Sequence, residues 1–206
     1  TLLLSYGALL AAPFIAVFLL LSFWKNSTEN YYSEIMKNDL TEGRMAFEKQ
    51  LDIMCAGAFS VSNDSDLKWV YFLDGLKDGD NNIAALIRCN DMLRQTFADS
   101  EHYQNYSVIM KNELIFRKSG MVVGDKFFYD NYCTYQNTDF ETWRKQSFES
   151  NTWQLFPLEE IDTGERTFQA MTFSYPVRNY IQQEPEANAV VQFLLSKENP
   201  VSYTHL

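Results

Sequence analysis

Few residues of this chain have the types and the spacing that catalysis or metal binding requires. The sequence contains two histidines, His102 and His205, and three cysteines, Cys55, Cys89 and Cys133. No cysteine belongs to a C-x-x-C pair or lies near a histidine, so no zinc site is indicated, and buried free thiols are favoured over a disulfide. His102 lies in the polar stretch SEHYQN, where a surface residue is favoured over a catalytic one, and no G-x-S-x-G motif is present to indicate a triad. We therefore predict that the chain is not an enzyme and holds no cofactor.

One acidic stretch imitates a calcium loop. Asp78, Asp80 and Asn82 stand at the first, third and fifth positions of an EF-hand pattern. The sixth position, which requires glycine, is Ile83, and the twelfth, which requires glutamate, is Cys89. We interpret the stretch as a solvated loop that caps a helix. The chain also lacks the G-x-x-x-x-G-K-S/T and G-x-G-x-x-G motifs, so nucleotide binding is not predicted.

The charge balance excludes one class of partner. The chain carries 17 basic and 27 acidic side chains, a formal net charge of -10, and every charge lies at or beyond Lys25. Nucleic-acid binding depends on lysines and arginines that displace condensed counterions. We therefore expect no DNA or RNA binding by this segment. An apolar content of 46% and an aromatic content of 16% predict a folded domain.

The N-terminal segment has the composition of a membrane anchor. Residues 1–24 contain no charged side chain, and as a helix they would extend about 36 Å, enough to cross roughly 30 Å of hydrocarbon. A cleaved signal peptide is the alternative, but Trp24 and Lys25 suit a helix end at the head-group boundary better than a cleavage site. We predict a transmembrane helix over residues 1–24. The next twenty residues contain three basic and four acidic side chains, so we expect residues 25–199 outside the cytoplasm.

The sequence of the extreme C-terminus predicts a different origin from the rest. The last six residues, Val-Ser-Tyr-Thr-His-Leu, match one reading frame of a transposase end that is used in sequencing libraries. We expect residues 200–206 to be adapter sequence and the domain to be truncated at about residue 199.

The elements that must position any site begin with a long helix. Apolar or small residues spaced by threes and fours predict a stalk helix over residues 25–60. It would either pair with its twin in a homodimer or only cover a sheet. Polar clusters at residues 62–66 and 77–82 break the helical pattern, which returns over residues 83–97.

Beyond His102 the apolar period changes to two, which is typical of strands. Strand-like runs form a hairpin, then a loop-rich stretch with Gly120 and Gly124 leads to a short helix and three further strands. This pattern predicts an α+β fold in which helices cover one face of a five-stranded antiparallel sheet. The predicted strands are 106–110, 114–118, 153–156, 168–177 and 189–196, and the short helix is 140–148.

Four segments follow one another in a recognisable order: FETWRKQSF with Trp143, NTWQLFP with Trp153, FQAMTFSYPVR, and AVVQFLLS. Behind an anchor, a long helix and a hairpin, this order resembles the membrane-distal module of double Cache sensors. The resemblance covers about residues 26–196. It implies a PAS-like sheet and a Cache-like sensor domain over residues 61–199.

Within that family, the stretch NDLTEGRMAFEKQLD is similar to the extracellular part of membrane-anchored AraC-type regulators. The resemblance implies an extracytoplasmic domain that binds a small molecule or a protein and signals, through a second span, to a cytoplasmic DNA-binding output. The input domain of a sensor histidine kinase is the alternative. Alternatives of other classes are a tethered extracellular binding module that passes no signal and a tethered ectoenzyme.

The resemblance also implies a ligand cavity under the loops of the sheet. Aromatic rings would cover apolar ligand surface there, and one or two charges would fix orientation. A structural role is the alternative, because aromatics at alternating strand positions are common in cores. The Arg-x-x-Trp-Tyr run of amino-acid-binding members reads Phe-Glu-Thr-Trp-Arg here, so amino acids are not the expected ligands. The predicted lining residues are Trp143, Arg144, Tyr129, Tyr175 and Arg117.

Overall fold

The computed structural model describes residues 2–70, 79–97, 105–178 and 187–196, with the backbone alone for residues 2–19, 69 and 79–82. The α+β class and the long N-terminal helix are confirmed. Asp78, His102 and the tail 200–206 lie outside the described residues. The loop predicted at 77–82 is wrong for residues 79–82, because a helix begins at Gly79 and these polar residues form its first turn. The elements are α1 (Leu2–Ser62), α2 (Ser65–Val70), α3 (Gly79–Thr96), β1 (Asn105–Met110), β2 (Leu114–Arg117), β3 (Gly120–Val123), α4 (Asp125–Tyr132), β4 (Thr134–Tyr135), α5 (Phe140–Glu149), β5 (Gln154–Asp162), β6 (Thr167–Val177) and β7 (Ala189–Ser196).

The chain divides into two compact units, Thr1–Lys49 and Gln50–Leu206, and the division falls within α1. The first unit is helical, with most side chains from residue 20 onward exposed to solvent. Across the part of the chain that the structure describes, no helix is both long enough and apolar enough to cross a membrane. The transmembrane helix over residues 1–24 stays a prediction.

The second unit contains a seven-stranded antiparallel sheet, where five strands were predicted. Its strand order is β3-β2-β1-β7-β6-β5-β4. The strands β3 and β4 were missed because they are only four and two residues long, too short to show a period. The predicted strand 153–156 is the beginning of β5, which continues to Asp162 through a bulge between Phe156 and Glu159. The charged second half of β5 and its Pro157 have the composition of a loop, although Pro is tolerated at a bulge near a sheet edge.

Helices cover both faces of the sheet, which corrects the prediction of a single covered face. Phe97, just after α3, packs on Phe193 of β7 with ring centroids 5.2 Å apart. On the opposite face, the Gln192 amide donates to Ser147 of α5 at 2.9 Å. Because neighbouring residues of a strand point to opposite faces, Gln192 and Phe193 lie on opposite faces of the sheet. We call the face that carries Gln192 the α4/α5 face and the face that carries Phe193 the α1/α3 face.

The C-terminal end of α1 contributes to the α1/α3 face. Met54, Ala58 and Val61 recur at helical spacing and are fully buried. A Cβ placed on Gly57 would lie 3.0 Å from the Phe97 ring, so the helix approaches that ring closely. The break predicted at 62–66 is confirmed, because α1 ends at Ser62 and α2 begins at Ser65.

Most buried polar side chains of the central strands lie on one face. Among the described residues of β1, β2, β6 and β7, alternation places the buried Ser, Thr, Gln and Arg side chains on the α4/α5 face. The buried residues of these strands on the α1/α3 face, such as Val108, Phe116 and Phe193, are aliphatic or aromatic, and Tyr106 also brings a buried hydroxyl there. Burying polar groups is costly unless they find partners, so their segregation marks the α4/α5 face as the place for a site. The six polar residues are Ser107, Arg117, Thr172, Ser174, Gln192 and Ser196.

Candidate ligand-binding cleft

Four aromatic rings from α4, β4 and α5 pack together on the α4/α5 face. Tyr129 lies at the centre, with its ring centroid 5.4 Å from that of Trp143, 5.7 Å from that of Phe140 and 6.3 Å from that of Tyr135. Such separations suit favourable aromatic pairs. The short helices α4 and α5 therefore bring rings from three parts of the sequence into one cluster.

The loop between β4 and α5 is held over this cluster by polar contacts. The Tyr129 hydroxyl donates to the carbonyl of Thr138, and the Glu159 carboxylate accepts from the Thr138 hydroxyl at 3.1 Å. Asp139 caps α5 by accepting from the Thr142 amide at 2.8 Å. Hydrogen bonds from the Thr142 side chain and from its backbone amide lower the pKa of the Asp139 carboxyl. The loop is thus held by side chains of α4 and β5 and by its own helix cap.

A cleft of about 660 Å³ opens beside this loop. Its size falls within the range of small-molecule sites. Tyr129, Tyr135 and Phe140 supply aromatic surface, and the rim carries Lys126 together with carboxylates. Lys126 is paired with Asp130 at 2.9 Å. The lining residues are Lys126, Tyr129, Asp130, Tyr135, Gln136, Asn137, Thr138, Asp139, Phe140 and Glu141.

The interior below the cleft is polar but not reactive. The Tyr135 hydroxyl shares a 2.9 Å hydrogen bond with the Thr172 hydroxyl, and burial raises the pKa of Tyr135 well above its usual range. Burial also raises the pKa of the Cys133 thiol to about 12. Both groups stay protonated at neutral pH, so neither is a nucleophile. The indole Nε1–H of buried Trp143 influences the pKa of Tyr135 but does not meet hydrogen-bond geometry with any acceptor among the described residues.

The structure brings two of the five predicted site residues together. Tyr129 lines the cleft, and Trp143 lies behind it as a core residue, 3% exposed. Arg144 projects from another side of α5, where its guanidinium forms an ion pair with Asp125 of α4. It therefore ties two helices together instead of lining the cleft.

The other two predicted residues lie elsewhere. Tyr175 pairs with Val191 in the β6–β7 ladder, and alternation with Phe173 places it on the α1/α3 face, across the sheet from Tyr129. Arg117 lies on the α4/α5 face but contacts Tyr132 and Glu165 at a separate corner. The five residues do not form one pocket, because the helices and strands that carry them present them to different faces and corners.

Sequence reasoning missed Tyr135, Phe140 and the loop between them. Phe140 and Trp143 share a helical face, which the sequence shows. Tyr135 belongs to a two-residue strand, and no periodicity marks it. The only local signal was the cluster Gln-Asn-Thr-Asp at 136–139, which favours a turn that ends at a helix cap.

Comparisons with known proteins assign no relative. No family model matches the sequence, and no curated protein matches it significantly. Within the described residues, no group of three or more histidine, cysteine, aspartate or glutamate side chains is arranged to hold a metal ion. The site must therefore be interpreted from its own geometry, which offers binding surface.

Proposed function

We propose that this chain is the extracytoplasmic input domain of a membrane signal transducer, with residues 1–24 as the anchor and residues 25–199 as the sensing part. A small molecule would bind in the cleft beside Tyr129 and Phe140. The observation that carries the proposal is the cleft on the α4/α5 face, where aromatic rings and polar groups line one opening above buried polar side chains of the central strands.

The central strands supply a path from the cleft to the long helix. Gln192 of β7 contacts α5 on one side, and its neighbour Phe193 contacts Phe97, which packs against α1 near Gly57 on the other. A ligand that binds one arrangement of α4 and α5 more tightly than another would increase the population of that arrangement. Because both sides of β7 are in contact with helices, the packing on its other side would shift with it. The C-terminal end of α1 would then report occupancy toward the membrane.

The output that completes such a transducer lies on the cytoplasmic side. We expect the complete coding sequence to encode a second transmembrane helix followed by an AraC-type DNA-binding domain. A histidine kinase in that place would select the alternative transducer. A complete sequence with no second span would instead favour a tethered extracellular binding module.

A homodimer through the stalk helix is part of the proposal. Tyr32, Met36 and Leu40 follow at four-residue spacing on α1, and all three are exposed. Apolar side chains in such a row are suited to a helix–helix seam. Cysteine substitution at Leu40 should give disulfide-linked dimers in membranes, whereas substitution at the exposed Asp39 should give few.

The cleft is tested by thermal shift of the full chain in mild detergent against sugars, organic acids and amines. A ligand at about one hundred times its Kd stabilises the folded state by roughly 2.7 kcal/mol. The Phe140→Ala variant should lose the shift, and Phe127→Ala, on α4 but absent from the cleft lining, should keep it. A ligand whose shift survives Phe140→Ala and Tyr129→Phe would show that the cleft is not the site.

A further inference from the structure

The cleft beside Tyr129 carries an excess of negative charge. Its lining includes three carboxylates, Asp130, Asp139 and Glu141, and a single cation, Lys126. Asp130 neutralises Lys126, because both of its carboxylate oxygens lie 2.9 Å from the ammonium. Within the part of the chain that the structure describes, neither Asp139 nor Glu141 forms an ion pair with a lysine or an arginine. The lining is therefore acidic even after its own ion pair is counted.

The aromatic surface of the cleft already accepts a cation. The Lys126 ammonium lies 5.3 Å from the centre of the Phe140 ring, within the range of a cation–π contact. Phe140 in turn packs on Tyr129, with ring centroids 5.7 Å apart. The Lys126 side chain is 64% exposed, so packing does not lock it in place. A lysine side chain ends in an alkylammonium group, and a ring that accepts this group can accept a free one.

The helix ends beside the cleft also favour a cation. The N-terminus of α5 would attract an anion, but the Asp139 carboxylate occupies it by accepting from the Thr142 amide at 2.8 Å. Asp130 lies near the C-terminal end of α4, where the partial negative charge of the helix favours positive groups. The backbone and the side chains around the cleft thus select the same sign of ligand charge.

We propose that the cleft binds an organic cation with an alkylammonium head. The face of the Phe140 ring would contact the head, and the carboxylates of Asp139 and Glu141 would attract it and accept its N–H groups. The ring of Tyr129 would cover part of the alkyl chain. Lys126 acts as a tethered competitor for the same ring. This ligand class rests on the proposed binding role of the cleft.

The test compares three compounds of similar length and different charge. The full chain in mild detergent is titrated calorimetrically at neutral pH with n-butylammonium chloride, n-butanol and sodium n-butyrate, at an ionic strength held constant with sodium chloride. n-Butylammonium is the free counterpart of a lysine side chain. It should bind about tenfold more tightly than n-butanol, the scale of one cation–π contact with added charge attraction. n-Butyrate should bind more weakly than either.

Two glutamates of α5 form a matched pair for the charge of the cleft. Glu141→Gln removes a lining carboxylate and should weaken n-butylammonium binding about two- to fivefold, the range of a solvent-exposed ion pair, without changing n-butanol binding. Glu149→Gln lies on the same helix but outside the cleft lining and should change neither. Both glutamates are exposed, so both variants should fold as the unaltered chain does.

The variant Lys126→Met removes the tethered competitor and releases the Asp130 carboxylate. It should tighten n-butylammonium binding about two- to fivefold, because a free cation then replaces the one that was lost. Unfolding should stay cooperative, since the Lys126 side chain is largely exposed. A cationic ligand is ruled out if this variant binds n-butylammonium no more tightly than the unaltered chain.

The remaining outcomes separate the ligand class from the binding role of the cleft. A cationic ligand is also ruled out if n-butanol or n-butyrate binds as tightly as n-butylammonium, or if Glu141→Gln and Glu149→Gln have equal effects. A neutral or anionic compound whose binding is lost in Phe140→Ala would leave the binding role intact and overturn only the ligand class. If no compound depends on Phe140, the cleft is not a site and both proposals fail.

Discussion

The two faces of the sheet use the same strands for different purposes. On the α1/α3 face, Phe193 packs against Phe97, which lies close to Gly57 of α1, and the buried strand residues there are aliphatic or aromatic. On the α4/α5 face, Gln192 and Thr172 hydrogen-bond to side chains of α5 and β4. One face is built for packing energy, and the other retains polar groups whose burial is expensive.

This difference separates stability from binding within one domain. Apolar packing on the α1/α3 face stabilises the sheet and connects it to the long helix. The cleft lies on the α4/α5 face, where short helices and a loop supply the lining. Substitutions on the first face should therefore act on folding, and substitutions on the second should act mainly on binding.

The largest effect is expected at the centre of the α1/α3 face. Phe193 is fully buried and touches both Phe97 and Phe173. Phe193→Ala should lower the free energy of unfolding by about 3–5 kcal/mol, because it removes apolar contact and leaves a cavity. Urea unfolding measures the loss. Phe59→Ala, at a ring that is 62% exposed, is the control and should change stability by less than about 0.5 kcal/mol. Equal losses from the two variants would contradict a packing role for this face.

The next effect tests the turn that borders the α4/α5 face. Gly164 has a φ of 75°, and a Cβ there would come within 2.2 Å of the Asn131 carbonyl oxygen. Gly164→Ala should cost about 2–3 kcal/mol of unfolding free energy through strain and backbone displacement. Gly43→Ala is the matched control, since nothing lies within 4 Å of its Cβ, and in a helix it should stabilise by roughly 0.5–1 kcal/mol. Urea unfolding measures both variants. If Gly164→Ala unfolds at the same urea concentration as the unaltered chain, the turn does not press on α4.

A smaller effect distinguishes satisfied from unsatisfied polar groups on the α4/α5 face. Ser147→Ala removes the acceptor of the Gln192 amide and should cost about 1–2 kcal/mol, because a buried donor loses its partner. Gln192→Met should be nearly neutral, since the buried Gln192 carbonyl oxygen has no hydrogen-bond partner among the described residues and an apolar side chain removes both polar groups together. Chemical denaturation measures the free energy of unfolding of the two variants. A larger decrease for Gln192→Met than for Ser147→Ala would contradict this prediction.

The smallest effect compares one thiol from each side of the sheet. Burial raises the pKa of Cys133 and that of Cys89 from 9.0 to about 12. Above pH 9 the unfolded chain releases these protons while the folded chain retains them, so stability is complete below pH 9 and falls as the pH rises toward 12. The loss should be on the order of 1 kcal/mol per thiol by about pH 9.5.

Urea unfolding at pH 8 and at pH 9.5 measures that loss. The double variant Cys89→Ala, Cys133→Ala should show a smaller decrease between the two pH values than the unaltered chain. The comparison removes the contribution of tyrosines and lysines, which titrate in both proteins. Identical decreases would mean that the two thiols are accessible in the folded state.

Local patterns in the sequence determined most of the elements. The three-and-four spacing around Met54, Ala58 and Val61 predicted a long helix, because side chains at that spacing share one helical side. The period of two around Ile109, and again between residues 168 and 177, predicted strands for the same geometric reason. These are short-range properties, which a chain carries whatever it packs against.

Only the tertiary structure decided which face each strand presents to which helix. Moving a strand by one residue exchanges its faces, so the sequence could name Tyr175, Arg117 and Tyr129 as candidates without showing that they point to three different places. The order β3-β2-β1-β7-β6-β5-β4 joins segments far apart in the chain, such as Asn105 and Leu194. Local periodicity contains no information about such pairings, because they depend on how distant apolar surfaces cover one another.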